Sequence, residues 1–148
     1  MSQITLARLL EMKGHDVYSI APGASVLEAI QKMSERGVGA LVVMEGETLA
    51  GIISERDYTR KVILQGRASR DTRVEEIMTS EVVTASPELT LEQAMRLVSE
   101  RRVRHLPVTK DGKVIGVISI GDMVKTLISL QKETIEQLTH YIGGGYMA

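Results

Sequence analysis

The feature that most constrains this chain is that one pattern occurs in it twice. Gly51-Ile52-Ile53-Ser54-Glu55-Arg56-Asp57 returns as Gly116-Val117-Ile118-Ser119-Ile120-Gly121-Asp122. Pro22 and Pro87 stand 65 positions apart, and that offset holds without a gap to Val62 and Leu127. Along it Ala29 falls on Ala94, Ser34-Glu35-Arg36 on Ser99-Glu100-Arg101, and Val43 on Val108. A frame kept this long is a tandem duplication. One such unit has too little core to be stable alone, so two must bury their sheets together. Two related units packed this way share a pseudo-two-fold axis, and a cleft opens along it.

Each unit reads as strand, helix, strand, strand, helix, an α/β (α+β) pattern. Residues 4–13 carry Leu6, Leu9 and Leu10 at helical spacing, with Gly14 as the stop. Residues 17–20 read as a short strand, and Pro22 keeps Ala21 extended. Ser25 caps a helix with Val26, Ala29, Ile30 and Met33 on one face, ended by Gly37. Residues 40–44 and 49–53 form a hairpin around Glu45-Gly46-Glu47, and a helix follows from Glu55 to about Gln65. Residues 66–72 are polar and read as the linker between units. Then 74–78 repeats the leading helix and 82–84 the first strand. Thr90 caps the second helix, with face Leu91, Ala94, Met95 and Val98. Residues 106–109 and 114–118 flank Asp111-Gly112, a strong hairpin-turn signal. The last helix runs from near Gly121 to about Tyr141, and Gly143-Gly144-Gly145 then releases a short tail. The organisation expected is a leading helix in 1–16, a unit in 17–65, a linker and short helix in 66–80, a second unit in 81–130, and a C-terminal helix and tail in 131–148.

Composition removes several functions. A net charge of −1 supplies no basic face for general nucleic-acid binding. The absence of cysteine removes disulfides, thiol catalysis and thiolate metal sites. With no Phe or Trp the core is aliphatic, and eight Met serve as gap fillers. No apolar run approaches the roughly 20 residues that span a bilayer. No charged segment followed by an apolar one opens the chain, so it is expected to be cytoplasmic. His15, His105 and His140 have no i, i+4 metal partner. Gly143-Gly144-Gly145 does not lie between a strand and a helix, so it is no phosphate loop. No Ser, His and carboxylate set groups as a triad.

The duplicated turn is where chemistry concentrates. The apolar run is a buried strand and Ser54 or Ser119 the N-cap of the next helix. Backbone N–H groups left free there favour anions. An aspartate three residues on can accept two hydrogen bonds from a diol. Ser-x-x-Asp also fits a capping box, although the usual third residue is Glu or Gln and both copies have Asp. Arg104-His105 opens a strand, and an arginine fork matches phosphate oxygens.

The unit pattern, the Gly-h-h-Ser-x-x-Asp turn and Arg104-His105-Leu106-Pro107-Val108 resemble the CBS (cystathionine β-synthase) domain. Two in tandem resemble a CBS pair, or Bateman module, over about residues 17–130. Ser54-Glu55-Arg56-Asp57-Tyr58, Val117-Ile118-Ser119-Ile120-Gly121-Asp122 and Tyr141-Ile142-Gly143-Gly144-Gly145-Tyr146 look closest to small stand-alone CBS-pair proteins of proteobacteria and plant mitochondria. The resemblance implies a non-enzymatic energy sensor binding AMP, ADP or ATP, with NAD or S-adenosylmethionine as further ligands. It implies that Asp57 and Asp122, beside Ser54 and Ser119, take the ribose diol. Arg104 and His105 reach the phosphates, and Arg56 or Arg60 either assists or covers surface. Val17-Tyr18-Ser19 and Val82-Val83-Thr84 hold the adenine, with Tyr18 a candidate to stack on the base. It pairs Asp57 with Arg104 and His105, and Asp122 with their uncharged register equivalents Gly39 and Ala40. It also implies a face-to-face homodimer, which the apolar residues Ile4, Leu6, Leu9, Leu10, Leu127, Leu130, Ile135 and Leu138 would serve, and a regulated partner protein. The rivals are a nucleotide hydrolase using Asp57 with a divalent ion, and a ligand-free assembly partner.

Overall fold

The computed structural model describes residues 4–146, with side chains described through residue 140. Thr5 accepts from the Arg8 amide and starts α1 (Leu6–Lys13), which Gly14 ends at φ 110°. The first unit follows as β1 (Ser19–Ile20), α2 (Val26–Arg36), β2 (Ala40–Glu45), β3 (Thr48–Ser54) and α3 (Glu55–Tyr58). After α4 (Val74–Ile77) come α5 (Leu91–Arg101), β4 (His105–Lys110), β5 (Lys113–Ser119) and α6 (Ile120–Tyr146). The fold is α+β, two related units that differ at their first strand. Ser25 and Thr90 cap α2 and α5 through the amides of Glu28 and Gln93. One helix face then buries Val26, Ala29 and Met33, and the other Leu91, Ala94 and Val98.

The hairpins repeat in detail. β2 pairs antiparallel with β3 and β4 with β5, and the register slips at the same place in both, after Val43 and after Val108. Asp111 and Gly112 both have positive φ, 53° and 78°, the tight turn that Asp-Gly favours. β1 pairs parallel with β2 through Ser19–Val42 and Ile20–Val43. In the second unit the strand expected at 82–84 is absent, and only Ala85 bridges to Val108. The reason is Pro107. Its counterpart Val42 donates its amide to the Tyr18 carbonyl at 3.2 Å, and proline has no amide hydrogen to give. The first strand is also shorter than expected, because Val17 and Tyr18 stay outside it.

Two other expectations change. The helix expected over 55–65 is one α turn followed by a π-helical turn, Thr59–Ile63, with Leu64 N donating to the Thr59 carbonyl five residues back. This wide turn still buries Val62 completely. The 66–72 linker packs on the first unit: Thr72 is buried, Val26 N bonds its carbonyl, and Leu27 N bonds that of Ser69. α6 runs through Gly143–Gly145 to Tyr146. Extending an established helix adds one hydrogen bond for each residue fixed, which here offsets the glycine cost. The tail expected beyond it, at 147–148, lies outside the described residues.

The two units exchange their leading helices. Leu6 N and Ala7 N donate to the carbonyls of Leu89 and Pro87. Val74 N and Glu75 N donate to those of Ala24 and Pro22, the same positions 65 residues earlier. Leu6, Leu9 and Leu10 therefore belong to the second unit's core with Leu91, Leu106 and Ile118. Val74 and Ile77 belong to the first unit's core with Val26, Leu41 and Ile53. This corrects the expectation that α1 offers a dimer surface, because its three leucines are at most 1% exposed. Glycine in β3 and β5 permits the crossing. A Cβ on Gly51 would lie 2.7 Å from Met78 Sδ and the Thr79 carbonyl, and one on Gly116 2.5 Å from Leu10 Cδ2.

Candidate functional site

β3 ends at Ser54, whose extended backbone (φ −129°, ψ 166°) turns the chain into α3. Its hydroxyl accepts the Asp57 amide at 3.3 Å, and Asp57 Oδ2 accepts the Ser54 amide at 2.9 Å. Ser119 and Asp122 repeat this at 3.1 and 2.8 Å. Both Ser-x-x-Asp turns are thus capping boxes with Asp in the place Glu usually holds. The cap uses Oδ2 in each case. Asp57 Oδ1 instead faces Lys61 Nζ at 3.0 Å, and Lys61 also donates to the Ile77 carbonyl.

β3 and β5 approach one another, so Ser54 and Ser119 reach a common cleft of about 920 Å³. Asp57 lines it from the first unit. From the second come Arg102, Arg104 and His105, which precede or open β4. Ile52, Val82, Val83 and Ile120 add apolar wall. Arg56, Arg60, Lys61, Arg102 and Arg104 line the cleft against Glu55, Asp57 and Glu81, so the lining carries a net positive charge. Arg56 and Arg60 lie on the α3 side, and Arg60 first, then Arg104, holds the exposed Arg56 guanidinium below its usual range, so these three like charges crowd together. His105 is half-buried, and that burial lowers its pKa from the ordinary 6.5. Asp122 pulls it back up, while Lys13 and Arg104 push it further down. The lowered pKa favours the neutral imidazole at pH 7.

Of the residues singled out from sequence, Ser54, Arg56, Asp57, Gly39, Val83, Arg104, His105 and Ser119 meet at this one cleft. Tyr18, Ser19, Ala40, Thr84 and Asp122 do not line it. The Tyr18 ring packs on the first core and carries the Arg36 guanidinium 5.3 Å from its centroid, while the Ser19 carbonyl takes Lys32 Nζ. Gly39 is tight: a Cβ there would stand 3.0 Å from Glu55 Oε1 and 3.5 Å from His105 Nε2. Asp122 has a cation of its own. Lys13, at the end of the exchanged α1, meets Oδ2 at 2.7 Å and also donates to the Val117 carbonyl. Burial pushes the Asp122 carboxyl up, but Lys13 and the Ser119 amide outweigh it and leave the pKa lowered.

Sequence reasoning missed Arg102 and Lys61. A signal for Arg102 exists in the duplication. Its counterpart is Gly37, a left-handed helix stop at φ 65°, and Arg102 adopts the same region at φ 55°. A non-glycine residue there is costly by about 1–3 kcal/mol, which marks the position for inspection. Lys61 and Lys13 carry no comparable signal, because their contacts depend on the π turn and on the helix exchange.

The family model described as the CBS domain matches residues 11–63 and again 74–129. The chain belongs to the CBS-domain family. As a CBS pair it is 46% identical over 127 residues to the mitochondrial CBS domain-containing protein CBSX3 of Arabidopsis thaliana, covering 82% of this chain and 62% of that protein. A solved structure of a protein with CBS domains from Burkholderia ambifaria superposes at TM-score 0.82 with 48% identity, over 84% of this chain and 94% of that one. A CBS domain pair solved in complex with 5′-methylthioadenosine and S-adenosyl-L-methionine has TM-score 0.77 and 21% identity, over 86% of this chain and 98% of that one, a likeness of fold alone. Among the described residues of this CBS pair no helix is long and apolar enough to cross a membrane.

Proposed function

We propose that this CBS pair is a regulatory module that binds an adenosine nucleotide in the cleft between its repeats and does no chemistry on it. The observation that carries this reading is that the Asp57 carboxylate of one repeat and the Arg102 and Arg104 guanidinium groups of the other line one cavity. Its volume, about 920 Å³, falls in the range of about 300–1,000 Å³ that small-molecule sites occupy. Asp57 and Ser54 hold the ribose, Asp57 turning Oδ1 from Lys61 to the diol while Oδ2 keeps the cap. Arg102 and Arg104 hold the phosphates with Arg56 or Arg60 beside them. Neutral His105 donates a hydrogen bond, and Ile52, Val82, Val83 and Ile120 enclose the base. AMP, ADP and ATP are the expected ligands, with NAD or S-adenosylmethionine as further candidates. A ligand bridging both repeats favours one packing of the halves over another, and a homodimer and a regulated protein partner read that shift. Asp122 anchors the second, weaker site, because the register counterparts of Arg104 and His105 there, Gly39 and Ala40, carry no charge for a phosphate.

Calorimetric titration tests this. A nucleotide at about 100 times its Kd adds about 2.7 kcal/mol of stability, so melting should shift as well. Asp57→Ala and Arg104→Ala should each weaken the tighter event, the arginine change by about 10- to 150-fold for a charge-assisted contact of about 1.5–3 kcal/mol. Asp122→Ala should spare it. Silence of AMP, ADP, ATP, NAD and S-adenosylmethionine at millimolar levels would refute the reading, and turnover of ATP with Mg²⁺ would favour a hydrolase.

A further inference from the structure

The Asp57 carboxylate is crowded before any ligand arrives. An ionised carboxylate offers about four acceptor sites. Asp57 Oδ2 takes the Ser54 amide at 2.9 Å and the Ser54 hydroxyl at 3.1 Å, and Oδ1 takes Lys61 Nζ at 3.0 Å. A ribose diol brings two donors, and about one acceptor site is left. The second repeat is built differently. Lys13 Nζ meets Asp122 on Oδ2, the same oxygen that takes the Ser119 amide, so ammonium and cap share one atom. The register counterpart of Lys61 is Thr126, which carries no charge.

Lys61 is the donor that can yield. The Ser54 groups belong to the cap of α3, and the Lys61 side chain is 43% exposed against 13% for Asp57. Yet the ammonium stays at the cleft, because it also donates to the carbonyl of Ile77, the last residue of α4, at 2.8 Å. Lining the same cavity are Arg56, Arg60, Arg102 and Arg104, against Glu55 and Glu81. These guanidinium groups outnumber the carboxylates, so an ammonium set free from Asp57 meets no surplus anion among the described residues. A ligand with a phosphate supplies one, and a new charge-assisted contact replaces the contact broken. A ligand without one leaves the ammonium among like charges, which is unfavourable.

We propose that Lys61 is a specificity-determining residue. It makes binding of a ribose diol at Asp57 conditional on an anionic group in the same ligand, and so rejects nucleosides in favour of nucleotides. This rests on the nucleotide reading above and adds a discrimination that the arginines do not give. Arginines tighten the ligand that has phosphate, whereas Lys61 weakens the ligand that lacks it.

Calorimetric titration of the full chain, wild type and Lys61→Met, with adenosine, 2′-deoxyadenosine and AMP tests this. Lys61→Met should bind adenosine tighter by about 2- to 10-fold, the scale of a part-exposed ion pair to a hydrogen-bonded carboxylate. It should bind AMP no tighter than wild type does. 2′-Deoxyadenosine lacks one hydroxyl of the diol and needs only the acceptor site already free, so it should gain less than adenosine. A lysine that merely attracts phosphate gives weaker AMP and unchanged adenosine. A lysine that merely props the fold gives losses for all three ligands. Either pattern, or an equal gain for AMP and adenosine, overturns the proposal. Lys61→Gln keeps a donor for the Ile77 carbonyl without the charge. It should reproduce the adenosine gain, and it decides the matter if Lys61→Met does not fold. AMP binding to wild type with no adenosine gain in the variants overturns this inference and leaves the nucleotide reading standing. Silence of AMP on wild type overturns both.

Discussion

His105 shows how one side chain can serve two neighbourhoods. It lines the cleft, yet Asp122, Lys13 and Arg104 all act on its charge. Its folded pKa is lowered, chiefly by burial, so between that value and about 6.5 the unfolded chain binds more protons than the folded one. The contribution to stability is complete above the unfolded value and is lost as pH falls through the folded one. Wild type should therefore lose more melting temperature than His105→Gln between about pH 7.5 and pH 5.5. Equal losses would mean that this imidazole is not the group responsible. Asp122 has the same sign in a lower window, retaining its contribution until pH falls below the usual carboxylate range.

At the scale of elements the decisive contacts are the two leading helices lying across β3 and β5. Gly51 and Gly116 are needed there for space, not for a positive φ. Gly51→Ala pushes a methyl against the Thr79 carbonyl, which belongs to backbone and yields little. Gly116→Ala pushes one against Leu10, fully buried and locked by its neighbours. Each should cost about 1–3 kcal/mol. Gly23→Ala is the control, because its nearest neighbour, Arg73 Nη1, stands 4.0 Å away and the change should be nearly neutral. Chemical denaturation of the three variants checks this, and a neutral Gly51→Ala would contradict the close packing.

For the whole molecule the exchange means that neither repeat carries its own complete core. Residues 1–65 hold α1, which packs on the second repeat, and lack α4. Residues 66–148 hold α4 and lack the three buried leucines of α1. Each fragment expressed alone should lack a cooperative melt, and mixing them should restore it. A cooperative transition in either fragment alone would show that the exchange is dispensable. The same interleaving ties Lys13 to Asp122 and brings the basic residues of one repeat to the aspartate of the other, so core and cleft are assembled together.

The sequence by itself determined whatever is encoded within a few residues or repeated in frame. Ser25 and Thr90 cap their helices, Asp111-Gly112 turns its hairpin, and the 65-residue offset relates Ser54 and Asp57 to Ser119 and Asp122. The CBS family was legible for the same reason. Only the tertiary structure decided which repeat receives each leading helix, because Leu6, Leu9 and Leu10 read as one apolar stripe whichever core they enter. It decided the lost strand too, since Pro107 cancels a hydrogen bond 24 residues back in the chain, at Val83. It decided the lysine partners of the two aspartates, which depend on a π turn in one repeat and on the exchanged helix in the other. Caps and turns are short-range and leave a local signature. Contacts between segments far apart in the chain have the same residue chemistry in every arrangement, and packing alone selects among them.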